Sequence, residues 1–123
     1  MKIVVTSREV SLNSPVDPRF GRCQYFMVIE PKSMEWEARE NSKRLGTGGA
    51  GIAAAQDIVS FGDVEAVITG NVGPNAFGVL LAAGIEVVTG YEGTVSEAVH
   101  HYVDGLLTTT KGPTVQSHHG MGK

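Results

Sequence analysis

Thiols are almost absent, for the 123-residue chain has one cysteine, Cys23. A lone thiol forms no internal disulfide and cannot supply the four thiolates of a structural zinc or iron–sulfur site, so a metal held here needs ligands of other kinds. Long apolar runs are missing as well. None approaches the ~20 residues of a membrane-spanning helix, and Met1-Lys2-Ile3-Val4-Val5-Thr6-Ser7 turns polar too early for a secretory signal. The expectation is a cytoplasmic protein that does not engage a membrane. Positive charge is in short supply: ten Lys and Arg against thirteen Asp and Glu give a formal charge of −3, which disfavours nucleic acid as a partner. The length suits a single domain. It is expected over residues 1–107, with 108–123 as a flexible C-terminal tail.

Lys and Arg are lacking altogether from Leu45 to Thr110, where seven acids occur. Eight of the ten bases (Lys2, Arg8, Arg19, Arg22, Lys32, Arg39, Lys43, Arg44) lie before Leu45, so the near-neutral average conceals a locally basic first third. These charges could simply solvate a sheet edge. Where Arg19 and Arg22 fall in the fold decides whether they do more.

The β-branched run Lys2–Thr6 predicts a first strand. Tyr25–Glu30 and Met34–Arg39, flanking Pro31-Lys32-Ser33, predict an antiparallel hairpin. After the Gly-rich stretch Leu45–Gly51 the period changes: Ile52, Ala55, Ile58, Val59 and Phe61 share one helical face. Strand and helix then alternate, with strands at Glu65–Thr69 and Ile85–Thr89 and helices at Pro74–Ala83 and Thr94–Asp104. Pro74 suits a first helical position, Thr94 with Glu97 makes a capping box, and Gly62, Gly84 and Gly105 follow helix ends. This order predicts an α/β fold with a five-stranded mixed sheet, order 3-2-1-4-5, only strand 2 antiparallel, and helices on both faces.

Direction carries the functional inference. With strands 1, 3, 4 and 5 pointing one way, the loops 7–24, 40–51, 70–74 and 90–94 meet at one sheet edge, beyond the carboxyl ends of the strands, where ligands bind in open α/β sheets. The first loop is long for a compact domain and ends in Pro18-Arg19-Phe20-Gly21-Arg22-Cys23. Its arginines could face a ligand, or pair with Asp17 or Glu40, and Cys23 could be a ligand or a small buried residue. Gly46-Thr47-Gly48-Gly49-Ala50-Gly51 opens a helix and lets backbone amides approach an anion. It is not a dinucleotide fingerprint, since Asn41–Leu45 separates it from its strand and the next strand ends without an acid. It is not a Walker loop either, because no Lys-Ser/Thr follows. Gly70-Asn71-Val72-Gly73-Pro74-Asn75 forms a second glycine-containing turn into a helix, and Gly93-Thr94 a third. Three helix N-termini and two arginines are therefore expected around one anion site.

Catalytic machinery is not evident. Strand 1 carries no carboxylate for a metal-dependent nuclease, there is no G-x-S-x-G elbow, and no histidine is placed by sequence as a base for Cys23. His100 and His101 suit the solvated C-terminal end of the last helix. His118 and His119 lie in a polar tail where imidazole could serve zinc, copper or nickel.

Arg19-Phe20-Gly21-Arg22-Cys23-Gln24-Tyr25-Phe26, Gly48-Gly49-Ala50-Gly51-Ile52 and Gly70-Asn71-Val72-Gly73-Pro74-Asn75-Ala76-Phe77 together resemble the dinitrogenase iron–molybdenum cofactor biosynthesis family, over about Met1–Leu107. The resemblance implies a ribonuclease H-like motif and a nitrogenase accessory factor-like role as a non-catalytic carrier of an anionic metal–sulfur cluster. That cluster would be an iron–molybdenum cofactor precursor or, as in the molybdenum–copper orange protein that the chain also resembles, a molybdenum–copper sulfide held without covalent attachment. The cluster-binding residues it implies are Arg19, Gly21, Arg22, Gly48, Gly49, Gly51, Asn71, Gly73, Pro74 and Asn75, with Cys23, His118 and His119 as candidate metal ligands. A cluster donor or acceptor protein would be the partner of a monomer or weak homo-oligomer. Two other readings stay open: a regulatory or interaction module that binds no cluster, and an enzyme acting on a small anionic metabolite.

Overall fold

The computed structural model describes residues 1–42, 44 and 49–112. Eight elements follow in order: β1 (Lys2–Ser7), β2 (Tyr25–Ile29), β3 (Trp36–Glu40), α1 (Ala50–Phe61), β4 (Val64–Ile68), α2 (Pro74–Ala82), β5 (Glu86–Val88) and α3 (Val95–Val103). The strands form one sheet of order β3-β2-β1-β4-β5, with β2 antiparallel to both neighbours and β1, β4 and β5 mutually parallel. This is the predicted fold class.

Strand periodicity sorts the apolar residues into two layers. Val4, Phe26, Val28, Val67 and Val87 pack with Ala54, Ala55, Ile58, Ala76 and Leu80 of α1 and α2. Ile3, Val5, Met27, Ile29, Ile68 and Val88 pack with Val95, Ala98 and Val99 of α3. Helices therefore cover both faces, and β1 at the centre is buried on each side, as its unbroken Ile3-Val4-Val5 run requires. The outer strand β3 has charged, mostly exposed side chains.

The hairpin starts its second strand later than its apolar residues suggest. Met34 takes a left-handed backbone (φ 62°) and donates to the carbonyl of Glu30 at 2.7 Å, so the turn consumes residues through Met34 and β3 begins at Trp36. Within the segment expected as a tail, Thr110 is bonded to the sheet. Thr110 donates its amide to Val87 at 2.7 Å, and its hydroxyl accepts from the Thr89 amide at 3.1 Å.

Loop 8–24 is ordered by the sheet it crosses. Asp17 donates its amide to Thr6 at 2.9 Å, Val16 to Gly93 at 2.9 Å and Phe20 to Asn71 at 3.2 Å, while Asn71 donates to Pro18 at 2.7 Å. Val16 and Phe20 are buried beneath it. The loop comes so close at Pro18 that a Cβ built on Gly70 would lie 2.5 Å from Pro18 Cα and 2.7 Å from its carbonyl oxygen. Replacing Gly70 by Ala is therefore expected to lower unfolding stability by about 1–3 kcal/mol through overpacking, measured by urea denaturation. An unchanged midpoint would show that the loop moves aside at no cost.

Candidate functional site

Beyond the carboxyl ends of β1 and β4 lies an open cleft of about 470 Å³, lined by Pro18 to Arg22, Gly49 to Ile52, Asn71 and Gly73 to Ala76. Three separate segments thus meet at one rim. Arg19, Gly21, Arg22, Gly49, Gly51, Asn71, Gly73, Pro74 and Asn75, all singled out from sequence, share this lining. Gly48, His118 and His119 lie outside the described residues.

The helix ends at the cleft differ from the third. Gly49 and Gly73 are the N-caps of α1 and α2, and among the described residues neither helix has a side-chain cap hydrogen bond or an acid in its first turn. A helix leaves its first amides without intrahelical acceptors and its N-terminus partly positive, so these two ends offer donors without a competing carboxylate. The third end is closed. Thr94 and Glu97 form the reciprocal capping box, and the amides of Val95 and Ser96 donate to Ser14 and Leu12, both at 2.9 Å. The expectation that three helix starts face one crevice is corrected to two, because the long loop covers the N-terminus of α3.

Gly21 serves close approach. A Cβ there would lie 2.9 Å from both the Cα and the amide nitrogen of Gly51. Its bare backbone lets the loop pack on the first turn of α1 and so brings Arg19 and Arg22 to the same wall as the helix start.

The arginines have protein partners. Asp17, 1% exposed, accepts from the Arg19 amide at 2.9 Å and from its Nε and Nη2 at 3.3 Å. A buried carboxylate without such donors would carry a desolvation cost of several kcal/mol. The hydrogen bond to Asp17, and then its charge, raise the Arg19 pKa, so the guanidinium stays protonated at the cleft mouth. Arg22 donates through Nη1 to the carbonyl of Arg44, and Arg44 pairs with Glu40 at 3.4 Å. The positive field at the cleft is thus partly balanced, and of the partners the sequence offered, Asp17 pairs with Arg19.

Cys23 departs from the expectation of direct contact with a ligand. Its side chain is fully buried in the α1–α2 layer and is not part of the cleft lining, and Asn41 Nδ2 donates to its carbonyl at 3.0 Å. Burial, then the negative charge of Asp17, pushes its thiol up to about 12. No group of three or more His, Cys, Asp or Glu among the described residues could hold a metal ion.

The dinitrogenase iron-molybdenum cofactor family model matches residues 1–105. The chain belongs to that family. It is similar to the orange protein from Desulfovibrio gigas, whose apo form shares 40% identity over 93% of this chain and 96% of that one, with a TM-score of 0.89. A Thermotoga protein described as a candidate NifB protein is 36% identical over 93% of this chain and 97% of its own, with a TM-score of 0.76. An uncharacterized protein of Methanocaldococcus jannaschii is 34% identical over 98 residues, 77% of this chain and 82% of that protein. Among the described residues no helix is long and apolar enough to cross a membrane.

The state of Cys23 is directly measurable. A thiol with a pKa near 12, against roughly 8.5 when unfolded, has a thiolate fraction lower by about three orders of magnitude at pH 8. Iodoacetamide is expected to label the native protein at least about 100-fold more slowly than the urea-unfolded chain. Because folding raises this acid's pKa, its contribution to stability is complete below about pH 8.5 and declines as pH rises toward 12. Equal labelling rates would place the thiol at the surface.

Proposed function

We propose that this protein is a non-catalytic carrier whose cargo is an anionic metal–sulfur cluster, either a precursor of the iron–molybdenum cofactor or a molybdenum–copper sulfide, bound in the cleft without covalent attachment. The observation that carries the reading is the convergence of two uncapped helix N-termini with Arg19 on one cleft. Membership of the cofactor family and the likeness to the orange protein support it.

The residues suit that cargo chemically. Amides of the first turns of α1 and α2 and the carboxamides of Asn71 and Asn75 are hydrogen-bond donors matched to sulfide and oxo groups at a cluster surface. Arg19, held by Asp17, and Arg22 add cationic donors, while Pro18, Ile52, Pro74 and Ala76 supply apolar wall. Weak, distributed contacts of this kind permit release to an acceptor protein without bond exchange. Cys23 has no role in holding the cargo, and the protein acts in the cytoplasm.

One observation favours a competing reading, an interaction module that takes no cluster: Arg19 is already matched to Asp17, and Arg22 donates to Arg44. Reconstitution separates the two. Tetrathiomolybdate with copper(I), added anaerobically to the apo-protein, is expected to give a visible absorption band that co-elutes with the protein and weakens as salt is raised. The Arg19→Ala/Arg22→Ala variant is expected to bind roughly 10–100-fold more weakly, the effect of losing charged hydrogen bonds. Cys23→Ala should retain the band. A wild type that acquires no chromophore, or a double variant that binds as well as wild type, would overturn the carrier reading.

A further inference from the structure

At the far edge of the sheet, β3 carries Trp36-Glu37-Ala38-Arg39-Glu40. Among the described residues its only strand partner is β2. Such an edge presents unpaired amides and carbonyls, which proteins commonly blunt with charged side chains. Here the charges are of both signs. Glu37 and Arg39 carry opposite signs two residues apart on one face, paired with each other at 2.9 Å, and both side chains are about half exposed (56% and 49%).

The backbone phase of β3 follows from its pairing. Glu30 donates to Glu35 and Asn41 to Gln24, and these bonded pairs alternate along an antiparallel ladder. Glu37 and Arg39 therefore bond toward β2, whereas the amides and carbonyls of Trp36, Ala38 and Glu40 point outward. A two-fold axis through Ala38 is the self-pairing that uses all five residues. It sets Ala38 opposite Ala38 and Trp36 opposite Glu40 as the bonded pairs, which are the positions with outward groups. The same axis sets each Glu37 opposite Arg39 of the second copy in the closely spaced, non-bonded positions, where cross-strand charge pairs interact best. On the other face, Trp36, which is 41% exposed, lies diagonal to Ala38 of the second copy and can pack on it.

We infer that β3 is a self-complementary edge through which two copies of this chain join into a continuous ten-stranded sheet. Backbone phase and charge order select the same register, although neither requires the other. The alternating quartet of Glu37 and Arg39 from both copies lies on the face of α1 and α2, where the Arg39 guanidinium also sits 4.7 Å from the centre of the Phe61 ring. Five paired residues form a small interface, so the dimer is weak, with a dissociation constant between roughly 10 µM and 1 mM. The axis reverses strand direction between copies. The two clefts then open at opposite ends of the joint sheet, and neither is covered, so the inference is independent of what the clefts hold.

Sedimentation velocity on the full chain, over roughly the same concentration range, tests this. Wild type is expected to shift from monomer to dimer, with weaker association at high salt. Arg39→Glu and Glu37→Arg each place like charges opposite one another and should weaken association about tenfold or more. The Glu37→Arg/Arg39→Glu double variant restores opposite charges and should dimerise like wild type. An equimolar mixture of the two single variants should form a heterodimer. Ala38→Pro removes the central outward amide and should give a folded monomer, with near-ultraviolet circular dichroism reporting the fold. Monomer at every concentration would overturn the inference. So would a dimer indifferent to both single charge changes and to Ala38→Pro, or a folded double variant that fails to restore association.

Discussion

The pairing of the buried Asp17 with the exposed Arg19 is the constraint on which the cleft depends. Asp17 lies almost fully buried above the ends of the central strands, its amide bonded to Thr6 and its carbonyl accepting the Thr6 hydroxyl at 2.7 Å. That hydroxyl also faces the Thr69 hydroxyl at 2.8 Å, linking β1 to the residue that follows β4. A carboxylate in such a place needs compensation, and the two-residue offset to Arg19 supplies it through both the backbone and the guanidinium. One interaction therefore solvates a buried charge, fixes the loop over the parallel strands and aims a cation at the rim.

Several features at the rim follow from the same loop path. Crossing β1 and β4, the loop makes its closest approaches where side chains are missing, at Gly70 against Pro18 and at Gly21 against Gly51. It then covers the start of α3, whereas among the described residues no side chain caps α1 or α2. The asymmetry concentrates donors in one place: two uncapped helix ends and one pinned arginine share a cleft, while the third helix satisfies its own amides with Thr94 and Glu97. The family that the chain belongs to is named for the iron-molybdenum cofactor of dinitrogenase.

Much of this was legible in the residues. Strand order was readable because each strand is a short apolar run bounded by turn residues, and because handedness leaves one economical path for β1, β4 and β5. Gathering of the glycine turns at one edge followed from strand direction. The start of β3 was less legible, since the left-handed backbone at Met34 has no signal in a side chain that strongly favours neither turn nor strand. Cys23 was ambiguous for a related reason: a thiol beside two arginines looks the same in a sequence whether its χ1 points to the rim or to the core. The structure places it in the core, against Ala54 and Ile58 among others.

By itself the sequence determined the layers, the topology and the edge at which the polar loops assemble, because these depend on local periodicity and on chain handedness. Tertiary structure alone decided which helix ends stay open, which arginine is pinned, where the lone thiol goes and which groups of the outer strand face outward. Those outcomes depend on distances between segments far apart in the chain, such as Ser14 to Val95 and Gly21 to Gly51, and on whether a charge is buried. Neither quantity is a property of neighbouring residues, and so neither can be read from their order.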